Sequence, residues 1–256
     1  MKLARIEYQG DIHEAVLGCS GYTLQDGTSI SGEEIRLLPP VAPGKILGVG
    51  WNFPAHIKEM ADRTAAGDNV TEAPAEEVPS PILFFKPSSS LIGHGDDIVY
   101  PSDATRVEFE GELAVVIARE TRRVTPNEAK LAVWGWTCAN DVTERDMQQT
   151  DAQWWRAKGY ETFAVAGPFI ETETPSPEAW IRTTVNGQLR QKGQVRDMIR
   201  DPYTIISLIS QAMTLYRGDL IMLGTPPGVG ELHPGDEVEV EIDGIGYLKN
   251  WVTAEG

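Results

Sequence analysis

VEFEGELAVVIA, residues 107–118, is the stretch that decides the fold class. Acidic and apolar residues alternate as far as Glu112, and a continuous apolar run then begins. This change of pattern is typical of a strand that runs from a sheet edge into a core. Other strand patterns follow one another along the chain without βαβ alternation. The sequence therefore predicts an α+β fold that is predominantly β, and it argues against a Rossmann fold or a β/α barrel.

Four local signals predict where helices and turns interrupt the strands. Pro54 opens a helix in the segment NFPAHIKEMADR, and Asp201 opens a second, strongly apolar helix. Thr125 begins a capping box, which predicts a helix that runs to about Trp134. Asn186 is followed by glycine, and this pair predicts the turn of a β-hairpin.

The chain divides at a proline-rich boundary near residues 39–44. Residues 1–42 are predicted to form a small N-terminal β subdomain, and residues 43–256 the main domain. Residues 64–81 are small, acidic and proline-containing, which predicts a mobile surface loop. Together with the helix before it, this loop suggests a lid region at about residues 52–80.

Charge excludes several classes of partner. The chain has 22 Lys and Arg against 38 Asp and Glu, a formal net charge of −16. Such a chain repels the phosphate backbone of nucleic acids and anionic lipid surfaces, so neither a nucleic acid nor a membrane is expected as a partner. The sequence also lacks the glycine-rich motifs of nucleotide-binding loops.

Cysteine usage and the N-terminus bear on location. Cys19 and Cys138 are the only cysteines, so a disulfide framework and a structural zinc site are both disfavoured. Acidic and polar residues occur by position 7, which is unlike a signal peptide, and no apolar run is long enough to cross a bilayer. We therefore expect a soluble, cytoplasmic protein.

Carboxylates in the deciding stretch suggest a metal site. Glu108, Glu110 and Glu112 alternate along the predicted strand and so share one face, where they repel one another unless solvent or a cation compensates. An exposed sheet face is one interpretation, but Glu112 continues directly into a core segment. All-oxygen ligands indicate Mg²⁺, Mn²⁺ or Ca²⁺ rather than zinc. Asp141 offers a further ligand where an apolar segment stops, and Asp146 is a competing candidate.

A histidine and a glutamate on the first predicted helix form a second candidate site. His56 and Glu59 are spaced i, i+3, so they share one helical face and can hydrogen-bond. A carboxylate beside an imidazole fixes its tautomer and raises its basicity, as a general base at neutral pH requires. An exposed ion pair on a surface helix is the alternative interpretation.

Seven motifs, taken in order, resemble the fumarylacetoacetate hydrolase family. They are KILGVGWNFPAHIKEM, PILFFKPSSSLIGHGDDIVYP, VEFEGELAVVIA, GWTCANDVTERDMQ, AKGYETFAVAGPFI, VNGQLRQKG and GTPPGVG. The resemblance covers about residues 45–250, so residues 43–256 are interpreted as the catalytic domain. Residues 1–42 resemble the small β appendage of some bacterial members, often called 2-hydroxyhepta-2,4-diene-1,7-dioate isomerases, with a linked decarboxylase activity.

The resemblance implies a fold, a cofactor and a ligand set. It implies a mixed β-roll of the family's C-terminal type, usually in a homodimer, with Mg²⁺ or Mn²⁺ held by two glutamates and an aspartate. The implied metal ligands are Glu110, Glu112 and Asp141. Glu108 then becomes a neighbour of the site rather than a ligand.

The resemblance also implies the roles of five further residues. His56 and Glu59 match the family's pair on a lid, and Lys158 matches its active-site lysine. Gln148 matches a polar substrate contact, and Thr225 a contact to a substrate carboxylate. One departure from the family pattern is a glutamate at position 161, where members commonly have aspartate.

The implied activity is that of a metal-dependent enzyme acting through an enolate on a small oxo or enol dicarboxylic acid. Isomerisation and decarboxylation of 2-hydroxyhepta-2,4-diene-1,7-dioate in aromatic catabolism is the first expectation. Hydrolysis of acylpyruvates, such as a fumarylpyruvate-type substrate, and decarboxylation of oxaloacetate are alternatives. A non-catalytic metal-binding protein of the same fold is a second alternative.

Overall fold

Strands are the main regular structure in this computed structural model, which describes residues 1–70 and 81–256. The strands of the first half are β1 (Lys2–Tyr8), β2 (Asp11–Gly18), β3 (Gly21–Leu24), β4 (Ser29–Ile30), β5 (Arg36–Leu37), β6 (Ile46–Gly50), β7 (Ile82–Lys86), β8 (Leu91–Ile92), β9 (Asp97–Tyr100) and β10 (Val107–Phe109). Those of the second half are β11 (Gly111–Ile117), β12 (Val133–Asp141), β13 (Thr143–Glu144), β14 (Ala164–Glu171), β15 (Trp180–Val185), β16 (Gln188–Gln194), β17 (Leu220–Met222), β18 (Gly230–Glu231), β19 (Glu237–Ile242) and β20 (Gly246–Ala254).

The helices are fewer than the strands, and most of them are short. The α-helices are α1 (Pro54–Ala65), α2 (Pro126–Ala129), α3 (Arg145–Thr150), α4 (Trp155–Gly159) and α5 (Pro202–Ala212). No helix among the described residues is long and apolar enough to cross a membrane. Most of the loop predicted at residues 64–81, and with it the end of the predicted lid region, lies outside the described residues.

The strands form three sheets. The largest has twelve strands, in the order β4-β3-β2-β1-β14-β12-β11-β17-β6-β7, with β5 paired to β1 and β8 to β14. A five-stranded sheet has the order β16-β15-β19-β20-β9, and β13-β10-β18 form the third. This architecture confirms the predicted α+β fold that is predominantly β. The N-terminal strands extend the large sheet through the pairing of β1 with β14, and the domain boundary near residue 42 stays a prediction.

The two faces of the large sheet have different surroundings. Leu113 and Val115 of β11 belong to the main core, together with residues of the five-stranded sheet such as Ile181. Ala114 belongs to a smaller cluster on the opposite face. Because side chains alternate along a strand, Glu112 shares the face of Ala114. The acidic residues therefore lie on the face turned away from the main core.

The local sequence signals have mixed outcomes. The helix opened by Pro54 and the hairpin turn at Asn186 are both confirmed. The capping box of Thr125 is also confirmed, but its helix is shorter than predicted: α2 ends at Ala129, and β12 begins at Val133 after a 3₁₀ turn. The reason is tertiary, because β12 pairs with both β11 and β14 in the middle of the large sheet.

The two cysteines provide a test of this fold. Cys138 lies buried on β12, and burial raises the pKa of its thiol to about 12, whereas Cys19 is exposed. Because the thiolate is the reactive form, only Cys19 should react rapidly with a disulfide reagent at pH 8. We expect one equivalent of thiol in the native protein and two after denaturation. Rapid reaction of both thiols in the native protein would contradict the position of β12.

Candidate metal centre and active site

The register between β11 and β12 brings acidic residues together. Glu112 lies opposite Ala139 in this antiparallel pair. Asp141 is two residues beyond Ala139, so its side chain points to the same face as that of Glu112. Glu110 occupies the break between β10 and β11, and its carbonyl accepts a hydrogen bond of 2.8 Å from the backbone N–H of Asp141.

The three predicted ligands form one buried cluster. Glu110, Glu112 and Asp141 each contribute a carboxylate oxygen, and these oxygens all lie within 4.8 Å of one another. All three side chains are buried. Carboxylate oxygens in this number and spacing suit a hard divalent cation such as Mg²⁺ or Mn²⁺. The structure thus brings the predicted ligands together, and their role in metal binding stays a prediction.

Two buried lysines share the oxygens of Asp141. Lys158 donates to Asp141 Oδ2 at 2.7 Å and to Glu110 Oε2 at 2.8 Å. Burial acts to lower the pKa of Lys158, but Asp141 and Glu110 outweigh it and raise this pKa above its usual value. Lys86 donates to Asp141 Oδ1. Its burial is the dominant influence and lowers the pKa of Lys86 to about 8.

Glu112 differs from the other two carboxylates because it has no ion pair within the described part of the chain. Its Oε2 accepts a hydrogen bond of 2.7 Å from the backbone N–H of Gly224. Burial, followed by repulsion from Asp141 and Glu110, raises the pKa of Glu112 well above its usual value. A buried carboxylate of this kind is stabilised by a cation. The donor set therefore fits a divalent metal.

The turn at Gly224 needs a glycine. Its φ is +98°, and a Cβ there would lie 2.9 Å from the Cβ of Asn52. Both conditions exclude larger residues. This turn aims the N–H of Gly224 at Glu112, so the GTPPG motif contributes to the geometry of the carboxylate cluster.

A buried arginine connects Glu110 to its surroundings. Arg145 donates to Glu110 Oε1 at 2.6 Å, to Glu108 Oε2 at 2.8 Å and to Gln148 Oε1 at 2.6 Å. Although burial raises the pKa of Glu110, Lys158 and Arg145 outweigh it and hold this pKa below its usual range. Glu108 is thus a neighbour of the cluster, as expected, with its own arginine partners.

Helix α1 carries the predicted histidine–glutamate pair over the cluster. His56 Nδ1 lies 2.9 Å from Glu59 Oε2, and Glu59 Oε1 accepts a 2.8 Å hydrogen bond from the N–H of Gly228. The ring of Trp51 stacks on His56 with centroids 5.9 Å apart. Trp51 has a φ of 60°, a backbone conformation that residues other than glycine rarely adopt. Where they do adopt it, they are often found at functional sites. His56 is buried, so the alternative of an exposed surface ion pair is not supported.

A single pocket receives most of these groups. It has an empty volume of about 350 Å³, part of it open to solvent. Its lining consists of Val49, Gly50, Trp51, His56, Phe84, Glu110, Glu112, Asp141, Arg145, Gln148, Trp154, Lys158 and Thr225. Every predicted site residue except Glu59 is among them, and Glu59 reaches the pocket through its contact with His56.

The two predicted substrate contacts differ in what they can offer. The carbonyl oxygen of Gln148 accepts from Arg145, which has no acceptor atoms, so Gln148 can present its NH₂ group to the pocket. The hydroxyl of Thr225 donates to the carbonyl of Gly111 at 2.9 Å and accepts from Gln191 at 2.7 Å. Its proton is therefore already engaged. This favours a role for the Thr225 hydroxyl in holding the backbone of Gly111, between Glu110 and Glu112.

Other candidates from the sequence lie elsewhere. Asp146 pairs with Arg106 at 3.1 Å rather than joining the carboxylate cluster. Sequence reasoning missed Lys86 and Arg145 as components of the site. Lys86 lies on the same face of β7 as Phe84, and both are buried. The alternation of side chains in the sequence does not by itself tell which face of a strand is buried.

Gln191 of the VNGQLRQKG motif joins two parts of the site. Its Oε1 accepts from the N–H of Gly111 at 2.9 Å, and its Nε2 donates to Thr225 Oγ1 and to the carbonyl of Pro226, each at 2.7 Å. Gly111 lies between Glu110 and Glu112. Gln191, which is fully buried, thus ties the backbone of Gly111 to the segment of Thr225 and Pro226.

Replacing Gln191 with leucine should weaken Mn²⁺ binding about tenfold or more, because it removes all three hydrogen bonds that orient the ligand segments. Titration calorimetry with Mn²⁺ measures this change. The matched control is Gln194→Leu, a buried glutamine on the same strand whose Nε2 donates to the carbonyl of Glu178. Equal losses in the two variants would argue against the role of Gln191.

A buried acidic cluster beside a lysine and a histidine–glutamate pair is typical of metal-assisted enzymes that stabilise negative charge on a substrate oxygen. Comparison with known proteins gives the particular family. Residues 45–253 match the model described as fumarylacetoacetate (FAA) hydrolase C-terminal. The chain belongs to the fumarylacetoacetate hydrolase family, whose members include isomerases, hydrolases and decarboxylases and which generally binds a divalent metal.

Individual relatives illustrate this range. The X-ray structure of 5-carboxymethyl-2-hydroxymuconate delta-isomerase from Mycobacterium smegmatis superposes with a TM-score of 0.89 at 35% identity, covering 100% of both chains. A 2,4-didehydro-3-deoxy-L-rhamnonate hydrolase of Sphingomonas is 34% identical, over 94% of this chain and 84% of the relative. A human mitochondrial oxaloacetate tautomerase is 36% identical, over 86% of this chain and 70% of the relative.

Proposed function

We propose that this chain is a Mg²⁺- or Mn²⁺-dependent enzyme that shifts a proton on a small 2-oxo or enol acid through its enolate. The observation that carries the proposal is the buried cluster of Glu110, Glu112 and Asp141, whose oxygens lie within 4.8 Å of one another beside Lys158. When bound, the divalent cation supplies a Lewis acid that stabilises negative charge on substrate oxygens.

His56 supplies the proton-transfer group. A carboxylate can only accept hydrogen bonds, so the contact of His56 Nδ1 with Glu59 places the proton on Nδ1. Nε2 is then the basic atom, and it takes a proton from the substrate carbon or returns one to it. Glu59 is held in turn by Gly228, which fixes the orientation of the ring.

Lys158 and Gln148 bind the acid end of the substrate. The ammonium of Lys158 is buried and stays charged because two carboxylates surround it. It adds a fixed positive charge next to the developing enolate. The NH₂ group of Gln148 provides a neutral donor for a carboxylate or carbonyl oxygen.

Isomerisation is the first candidate because two of the relatives reported above are named as an isomerase and a tautomerase, and both names describe proton shifts. A C–C hydrolase of acylpyruvates is the second candidate. It is supported by the same His56–Glu59 pair, which would remove a proton from water instead of from carbon. Decarboxylation, including that of oxaloacetate, uses the same enolate and belongs to the same proposal.

A homodimer in the cytoplasm is part of this proposal and rests on the family resemblance. Light scattering measures the assembly directly. A non-catalytic metal-binding role is less well supported, because Lys158, His56 and Glu59 would have no function in it.

The proposal is tested by proton exchange at carbon. Small 2-oxo acids are incubated with the protein in D₂O with Mg²⁺ or with EDTA, and deuterium at the carbon beside the oxo group is followed by NMR. We expect metal-dependent exchange or bond cleavage with oxaloacetate or an acylpyruvate. Absence of both across the panel would contradict an enolate-forming enzyme.

A further inference from the structure

Helix α1 has few apolar contacts with the body of the protein. Of its 12 residues, His56 and Met60 are the buried ones. Met60 belongs to a small cluster with Trp51 and Val70, which is separate from the main core. Because hydrophobic stabilisation grows with the apolar area that is buried, so small a cluster fixes a helix only weakly. The position of α1 therefore depends strongly on its polar contacts.

Two polar side-chain contacts join α1 to distant parts of the described chain. One is the hydrogen bond between Glu59 and the N–H of Gly228. The other is a two-point contact of Arg63 with Glu108, in which Nη2 donates to Oε1 at 2.7 Å and Nη1 donates to Oε2 at 3.2 Å. A planar guanidinium bonded through two nitrogens fixes direction as well as distance. Arg63 thus orients the second half of the helix.

The residues that hold α1 and the residue that faces the pocket lie on one side of this helix. His56, Glu59 and Arg63 are spaced i, i+3 and i+7, which places them on the same face. Seven residues span about 10 Å along a helix axis. The helix is continuous between His56 and Arg63. A displacement at Arg63 is therefore passed on to the ring of His56.

Glu108 does not depend on Arg63 for its own burial. Its side chain is fully buried, and it also contacts Arg145 at 2.8 Å and Arg106 at 3.8 Å. These two arginines would still compensate the buried carboxylate if the guanidinium of Arg63 were removed. The contact between Arg63 and Glu108 thus contributes more to the position of α1 than to the stability of β10, the strand that carries Glu108.

The same carboxylate is connected to the acidic cluster. Arg145 donates to Glu108 through Nε and to Glu110 through Nη2. Glu108 therefore lies between two arginines, of which Arg63 holds α1 and Arg145 holds Glu110. His56 and Glu110 are in this way positioned relative to one shared, buried carboxylate.

We propose that Arg63 is a positioning residue for proton transfer, and that its pair with Glu108 sets the place of His56 relative to the carboxylate cluster. Arg63 lies outside the pocket lining, so it acts through His56. This inference rests on the proposed function, in which His56 moves the proton, and it adds the residue that places His56.

Replacing Arg63 with methionine removes the guanidinium and retains an apolar side chain. We expect kcat to fall about 10- to 100-fold with KM and the Kd for Mn²⁺ nearly unchanged, because a small misplacement of a proton-transfer group is costly. Steady-state kinetics and Mn²⁺ titration on one preparation measure all three. An unchanged kcat, or equal losses of kcat and metal affinity, would overturn the inference.

Arg182→Met is the matched control. Arg182 also forms an ion pair, with Asp243 at 2.7 Å, and its side chain is 27% exposed against 22% for Arg63. It lies on β15 and outside the pocket lining. This variant should retain the kinetics of the wild type, and a loss equal to that of Arg63→Met would count against a specific role for Arg63.

A double variant shows whether Arg63 acts through His56. In the His56→Ala background, Arg63→Met should lower kcat no further, because the group that Arg63 positions is already absent. A general loss of structure would instead multiply the two effects. Multiplied effects would therefore contradict a positioning role.

Imidazole NMR measures the place of His56 without any reaction. The chain has four histidines, so the His56 signals can be assigned by their loss in His56→Ala. The ring of Trp51, which precedes α1, stacks on His56 and shifts the signals of its ring protons. We expect Arg63→Met to reduce this shift and to leave the signals of His94, held by the N–H of Lys249, unchanged. Unchanged His56 signals, or equal changes at both histidines, would contradict the inference.

These measurements separate the failure of this inference from that of the proposed function. If the wild type reacts with no substrate but Arg63→Met moves the His56 signals, the proposed function fails and the placement of His56 by Arg63 stands. If the wild type reacts and Arg63→Met retains its kcat, the proposed function stands and this inference fails.

Discussion

Replacing Glu112 with glutamine should abolish divalent-metal binding and catalysis while leaving the metal-free protein at least as stable as the wild type. Glu112 has no ion pair among the described residues and is repelled by Asp141 and Glu110. Glutamine keeps an oxygen to accept the N–H of Gly224 and removes the charge. If the free energy of unfolding of the metal-free variant rises by about 1 kcal/mol, its Tm rises by about 2–4 °C for a chain of this size.

Thermal unfolding with and without Mg²⁺ measures both effects. At a free Mg²⁺ concentration of about one hundred times Kd, the free energy of unfolding of the wild type should rise by about 2.7 kcal/mol. That of Glu112→Gln should not change on addition of Mg²⁺. Asp141→Asn is the informative contrast. It leaves Lys86 and Lys158 buried without their shared carboxylate, so its metal-free form should be destabilised by about 3–5 kcal/mol. If both variants lowered the stability of the metal-free protein equally, the electrostatic account of the cluster would be wrong.

Replacing His56 with alanine should lower kcat by about 10²- to 10⁴-fold while leaving the Kd for Mn²⁺ nearly unchanged. His56 lies in the pocket and contacts Glu59, and it is not one of the grouped carboxylate ligands. Steady-state kinetics and metal titration on the same preparation separate chemistry from metal affinity. An equal loss of both would count against the role of α1 as the carrier of the proton-transfer group.

Two further variants sharpen this test. Glu59→Gln keeps an oxygen that can accept from Gly228 but removes the negative charge beside His56, so it should lower kcat with little effect on Tm. His13→Ala, outside the pocket lining, should retain wild-type kinetics. Loss of activity in His13→Ala would show that histidine replacements perturb the protein generally.

Much of the fold follows from short-range patterns in the sequence. The period of two explains why Glu112 and Asp141 share a face once β11 and β12 pair, and the capping box fixes the start of α2 at Pro126. The end of α2 was predicted too late, near Trp134. The helix propensity of residues 130–134 is a local property. It cannot predict that residues from Val133 onwards pair with β11 and β14 inside the large sheet.

The residues that surround the cluster were harder to predict. Lys86 and Arg145 are buried charges, and burial of a charge is set by partners distant in sequence. Arg145 lies next to Asp146 in the chain, and this adjacency does not tell which partners the two side chains have. The fold instead directs Arg145 inward to Glu110 and pairs Asp146 with Arg106.

Titration of EDTA-treated protein with Mn²⁺, followed by electron paramagnetic resonance of the free ion, tests the central claim most directly. The account predicts one tightly bound Mn²⁺ per chain in the wild type and loss of that site in Glu110→Gln, Glu112→Gln and Asp141→Asn alike. Wild-type binding that persisted in all three variants, or no binding by the wild type, would contradict a metal centre built on these carboxylates.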